Sequence, residues 1–183
     1  MDDKFSSLVE KALESGAYRA AVIPVSKIET DKYFRKLCEA NRCGNFGRSW
    51  MCPPLIGEID ELIEKLHTFG SALVFQTVGE LEDSYDFEGM MEAEAFHNRL
   101  VLKVGGIVAE EIDHGRMLSL GAGGCRICDV CAKRSNEPCR HPEIALASLE
   151  GYGVNVYKLA EATGMKYING DNTVTYFGAV LFG

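Results

Sequence analysis

GEIDELIEKLHTFGSALVFQTV, residues 57–78, carries two different patterns in one stretch. In the first half Ile59, Leu62, Ile63 and Leu66 fall at i, i+3, i+4 and i+7, the apolar face of a helix, with Gly70 as its natural stop. The second half, SALVFQTV, has no helical spacing and reads as a buried strand. A comparable run, AYRAAVIPV at 17–25, follows a predicted helix over 4–15 that Gly16 ends. Between the two strands Thr30 can cap a helix over DKYFRKLCEA, with Phe34, Leu37 and Cys38 on one face. Strand, helix, loop, helix and strand in succession predict an α/β sheet layer, with α+β as the alternative.

Downstream, residues 79–94 are strongly acidic, with Glu80, Glu82, Asp83, Asp86, Glu88, Glu92 and Glu94 and no basic residue. A helix to about Asp113 follows, with Leu100, Val101, Val104 and Val108 as its buried stripe and a break allowed at Gly105-Gly106. RMLSLGAGG then reads as a short strand entering a glycine-rich loop. Pro142 in a first-turn position predicts a helix over EIALASLEGYG, and Asn155 caps a shorter one over VYKLAEATG. The end, MKYINGDNTVTYFGAVLF, predicts a β-hairpin around Asn169-Gly170. The expectation is one domain over residues 1–183, with a mixed sheet of about four to five strands flanked by helices and two cysteine-bearing loops.

With 183 residues, 46% of them hydrophobic and 25% charged, the chain can bury a substantial core. Its net charge of −8 argues against a general nucleic-acid surface. The apolar runs are too short to span a bilayer, and MDDKFSSLVE is no signal peptide, so a cytoplasmic protein without membrane attachment is expected. A reducing compartment and an odd count of seven cysteines favour metal or redox chemistry over structural disulfides.

GCRICDVCAKRSNEPCRHP, residues 124–142, sets Cys125, Cys128 and Cys131 at steps of three and adds Cys139 after Pro138. A zinc site commonly takes two separated cysteine pairs. Three cysteines at overlapping spacings, with a fourth farther on, follow instead the run that wraps a [4Fe–4S] cube in bacterial ferredoxins, though the last gap is longer here. Small residues 121–124 would let the backbone approach such a cluster. Zinc on the same thiolates is the alternative.

Cys43 and Cys52 flank a second glycine-bearing loop, and Pro53 after Cys52 lacks an N–H and turns the chain away. Cys38, one turn after Phe34, is either a further ligand or a buried cysteine. If Cys38, Cys43, Cys52, Cys125, Cys128, Cys131 and Cys139 all bind, they fall one short of the eight ligands that two cubes need. His141, a carboxylate, water or a substrate could take the open position. Cys139 or Cys52 could also cross to the other loop's cluster, as the remote cysteine of ferredoxins does. Both loops are locally basic: Arg35, Lys36, Arg42 and Arg48 in one, Arg126, Lys133, Arg134 and Arg140 in the other. Cations favour thiolates and offset cluster charge, or they simply keep the loops solvated. Trp50 could shield a cluster but reads first as core; His67, His97 and His114 follow no pattern.

RCGNFGRSWMCPP with LGAGGCRICDVCAKRSNEPCRHPE and ASLEGYGVNV resembles a family of prokaryotic proteins, common in anaerobes, known only as predicted metal-binding proteins of unknown function. The resemblance spans about Tyr18 to Tyr157, and many members carry proline where this chain has Gly124. It implies metal binding at the seven cysteines, iron–sulfur first, and it implies no reaction. The expected role is electron transfer with a redox partner protein, the acidic segment serving as contact, or reductive chemistry on a small molecule at an open cluster site. A zinc-stabilised interaction module is the alternative. Substrate, partner and oligomeric state are not legible in the sequence.

Overall fold

The computed structural model describes residues 3–112 and 116–183, so His114 and the expected helix end at Asp113 lie outside the described residues. In chain order its elements are α1 (Asp3–Glu14), β1 (Arg19–Pro24), α2 (Tyr33–Glu39), α3 (Ile59–His67), β2 (Ser71–Glu80), α4 (Phe87–Glu111), β3 (Met117–Gly121), β4 (Ala147–Ser148), α5 (Val156–Thr163) and β5 (Thr173–Phe182). The strands form one sheet in the order β1-β2-β5-β3-β4. Pairing is antiparallel except between β3 and β4, where Leu120 faces Ala147 and Gly121 faces Ser148 in parallel register. The sheet is therefore mixed and five-stranded, with helices on both faces.

Alternation along the central strands feeds two cores. Ala72 and Val74 of β2 and Phe177, Ala179 and Leu181 of β5 pack with Leu62 and Leu66 of α3 and Leu159 of α5. Leu73, Phe75, Val180 and Phe182 point to the opposite face, against Leu8 and Ala12 of α1 and Leu100, Val101, Val104 and Val108 of α4. The apolar stripes predicted for α3 and α4 are thus the faces buried, at about 1.5–3 kcal/mol for each large side chain removed from water. α4 runs unbroken through Gly105-Gly106. Gly105 instead gives room for close packing, because a Cβ there would come within 2.9 Å of Ser119 Oγ on β3.

Four local expectations fail. No helix follows Pro142: Leu146 and Ala147 are buried, β4 pairs beside β3, and a short 3₁₀ turn occupies Glu150–Tyr152. Tertiary pairing overrides local propensity there. No hairpin forms around Asn169-Gly170, since the residues before it do not pair. The segment beyond is one ten-residue strand, β5, whose partners β2 and β3 lie far away in sequence. On α2 the buried residue is Arg35, with Nη2 donating to the Gly57 carbonyl at 2.9 Å, while Leu37 is exposed. Thr30 caps nothing and bridges to Val154. By contrast α5 forms as expected, with the Asn155 side chain accepting from Lys158 N–H and Gly164 closing it in a left-handed conformation.

Candidate metal centre

Both cysteine loops leave ordered elements. The first runs from α2 to α3 and the second from β3 to β4. Inside the first loop Asn41 Oδ1 accepts from Phe46 N–H at 3.0 Å, and Gly47 N–H donates to the Pro53 carbonyl at 2.8 Å. Across the two loops, Trp50 Nε1 donates to the Glu137 carbonyl at 2.9 Å, and Lys133 Nζ lies 4.9 Å from the Trp50 ring centre. Trp50 is therefore a half-buried strut between the loops, not the core residue expected.

Polar residues of α4 hold the start of the second loop. Asn98, buried, takes both backbone groups of Ala122: its Nδ2 donates to the carbonyl at 3.0 Å and its Oδ1 accepts the N–H at 3.2 Å. Glu94, also buried, accepts two hydrogen bonds of 3.1 Å from Nε and Nη2 of Arg126, the neighbour of Cys125. Gly123, at φ +66°, passes so close to this pair that a Cβ would come within 2.3 Å of Glu94 Oε1. These small residues serve at least the packing of the loop on α4, beyond the cluster approach expected of them.

The seven cysteines are unbridged and divide between two adjoining pockets. Cys125, Cys128, Cys131 and Cys139 line the first, together with Ser49, Trp50, Met51 and His141, around a space of about 20 Å³. That is room for one water-sized species. Cys38, Cys43 and Cys52 line the second, together with Met51, Asn45, Ser148, Glu150 and the backbone at Gly123, Gly124 and Gly151, around about 200 Å³. Met51 is common to both walls. Each pocket takes its cysteines from one segment of the chain. A further cleft of about 390 Å³, with Arg48, Arg126 and Arg134 on its walls, opens over Cys125, Cys128 and Cys131. Among the described residues no three His, Cys, Asp or Glu side chains converge on the point of a single ion.

The pockets differ electrostatically. Burial raises the Cys131 thiol, but hydrogen bonds from the Lys133 and Trp50 backbone and the Ser49 hydroxyl, with the Arg140 charge, carry it below its ordinary value. In the other pocket burial pushes Cys52 up to about 11, the Ser49 hydroxyl opposing and Cys43, Cys38 and Cys125 adding. Cys38 is raised too, by burial first and then by Cys43, with Arg35 opposing and Glu150 adding. Burial lifts the Glu150 carboxyl itself, against hydrogen bonds from its own N–H and from Ser148. Ser49, which lines the four-cysteine pocket and accepts from Met51 N–H at 3.4 Å, thus bears on thiols of both pockets.

Residues 21–182 match the family described as predicted metal-binding proteins, DUF2284. The chain belongs to that family. It matches no curated protein and no solved structure. In this DUF2284 chain the seven cysteines singled out by spacing are gathered at two pockets, whereas Ser49, Met51, Glu94, Asn98 and Glu150 carry no spacing signal and emerge only from the fold. His141 lies at the four-cysteine pocket, exposed, with no helix after it to cap. His67 is exposed. His97 is fully buried between Phe75 and Tyr176, its Nδ1 2.9 Å from Thr77 Oγ1, and burial lowers its pKa to about 4. No helix among the described residues is long and apolar enough to cross a membrane.

Proposed function

We propose that this metal-binding protein is an iron–sulfur protein that exchanges electrons with a partner and carries an incompletely thiolate-bound cluster. Cys125, Cys128, Cys131 and Cys139 hold one [4Fe–4S] cluster, and Cys38, Cys43 and Cys52 hold a second. The division of seven thiols as four and three, in pockets with a common wall at Met51, carries this reading. Such clusters supply one-electron chemistry, and an iron without a thiolate supplies a Lewis acid. The chain's own contribution is to position thiols on loops tied to α4 and to each other, to keep them under Trp50 and Met51, and to offset cluster charge with Arg126, Arg134 and Arg140. The four thiols of the first pocket, with His141 beside them, suit iron–sulfur or zinc. The second pocket, at about 200 Å³, has far more room than one ion needs. Electrons pass over short range, so a partner approaches through the cleft over Cys125, Cys128 and Cys131, where Arg48 and Arg134 offer charge and Arg126 is already paired with Glu94.

A second reading, favoured by the small space in the four-cysteine pocket, keeps a single zinc ion there as a structural tie. Iron, zinc and acid-labile sulfide per chain, measured after anaerobic purification, separate the two. Two cubes give about eight iron and eight sulfide with a broad band near roughly 400 nm. About four iron with one zinc supports a mixed pair of centres. Zinc without sulfide, and no iron uptake on reconstitution, would end the redox reading.

A further inference from the structure

The cavity holding Cys38, Cys43 and Cys52 contains one charged oxygen donor among the described residues, and it is Glu150. We propose that Glu150 is the fourth protein ligand of the three-cysteine centre, holding the metal corner that no cysteine reaches. This assignment rests on the metal reading of that pocket and narrows what its open position takes.

Topology brings the carboxylate there. β4 runs parallel to β3, and Leu149 N–H donates to the Gly121 carbonyl at 3.0 Å, so the next residue, Glu150, lines the same cavity as Gly123 and Gly124. The following turn is anchored by Gly151 N–H on Ser148 Oγ at 3.0 Å and by the buried Leu149, Tyr152 and Val154. Asp31 N–H, just before α2, donates to the Gly153 carbonyl at 2.7 Å and docks that segment against the helix of Cys38. Glu150 and Cys38 line the same cavity, and the Glu150 charge helps to raise that thiol. Sites borne on tied elements hold their ligands in place. The competing protein donors fit less well. His141 lines the other pocket, and Met51 offers only a weak thioether shared between both walls. A carboxylate is also a more readily displaced partner for iron than a thiolate, so this corner is where a small donor molecule enters from the cavity.

The test compares wild type, Glu150→Gln and Glu150→Cys after anaerobic reconstitution with iron and sulfide, reading metal per chain, the electron paramagnetic resonance spectrum and the rate of iron release to a chelator. Wild type holds about eight iron; Glu150→Gln is expected to hold about seven, with the signal of a three-iron cluster, and Glu150→Cys to return to about eight. Iron release from Glu150→Gln should quicken about tenfold or more, and that from Glu150→Cys should slow. A Glu150→Gln protein with wild-type iron content, spectrum and release overturns the assignment. If wild type takes up zinc and no iron, the cluster reading falls separately. A zinc affinity lowered about tenfold or more in Glu150→Gln would still uphold the ligand, and an unchanged affinity would overturn it.

Discussion

The two cysteine pockets share a wall and little else. One presents four thiols around a small space beneath arginines, with Cys131 shifted toward its thiolate. The other presents three thiols around a space roughly ten times larger, with a carboxylate in its wall and with Cys38 and Cys52 shifted toward their protonated forms. Low-pKa thiols are poised to take up metal, whereas raised ones must first release protons to it. On the proposed reading, the contrast separates a centre suited to retention from one suited to access.

Removing a ligand tests that division most severely. Cys128→Ser should abolish metal in the four-cysteine pocket and leave the other loaded, while Cys52→Ser should do the reverse. Metal per chain, read beside the visible spectrum, checks this, and loss of both centres from either change would dissolve the distinction. The pH dependence comes next. Because the folded pKa of Cys52 is raised to about 11, its proton must leave when metal binds throughout the neutral range. Affinity of the three-cysteine pocket should therefore climb about tenfold per pH unit for each such thiol. The Cys131 contribution levels off at lower pH. Competition with a chelator at several pH values reads both slopes, and equal slopes would remove the electrostatic difference.

Ser49→Ala should weaken both centres, about tenfold at most each, because the serine lines the four-cysteine pocket and its hydroxyl opposes the rise of the Cys52 thiol. An effect confined to one pocket would show that the serine belongs to that side alone. Glu94→Gln removes the charge and one of the two acceptors for Arg126 and should cost about 1–2 kcal/mol in urea unfolding, with altered spectra only from the four-cysteine centre. The smallest effect is expected from Gly124→Pro, within about 0.5 kcal/mol. Its backbone does not need a positive φ, and an added Cβ meets only the movable Asn45 amide at 2.8 Å. A large loss of stability there would mean that this loop is far more rigid than its contacts imply.

Local signals were legible where local forces decide. The stripe of α3, the Asn155 cap and Gly164 stop of α5, and the cysteine spacing all act within a few residues of themselves. Distant partners were not legible. Pro142 opens no helix because β4 is claimed by β3, and Asn169-Gly170 makes no hairpin because β5 is claimed by β2 and β3. The same parallel pairing delivers Glu150 to Cys38, so the fold's least predictable strand determines the most chemically distinct wall of the site. Met51 and Ser49 were hidden for another reason: a methionine and a serine between cysteines have no periodicity to betray them.

Met51 has one more consequence. Cys125 already helps to raise the Cys52 thiol on the other side of the common wall. Two redox centres seated on either side of it would not accept electrons independently, because the first electron leaves a negative charge that the second must approach through poorly screening protein. Identical clusters would then show two separated midpoints belonging to the pair. The interval between them would measure the insulation provided by a single thioether side chain and its neighbours.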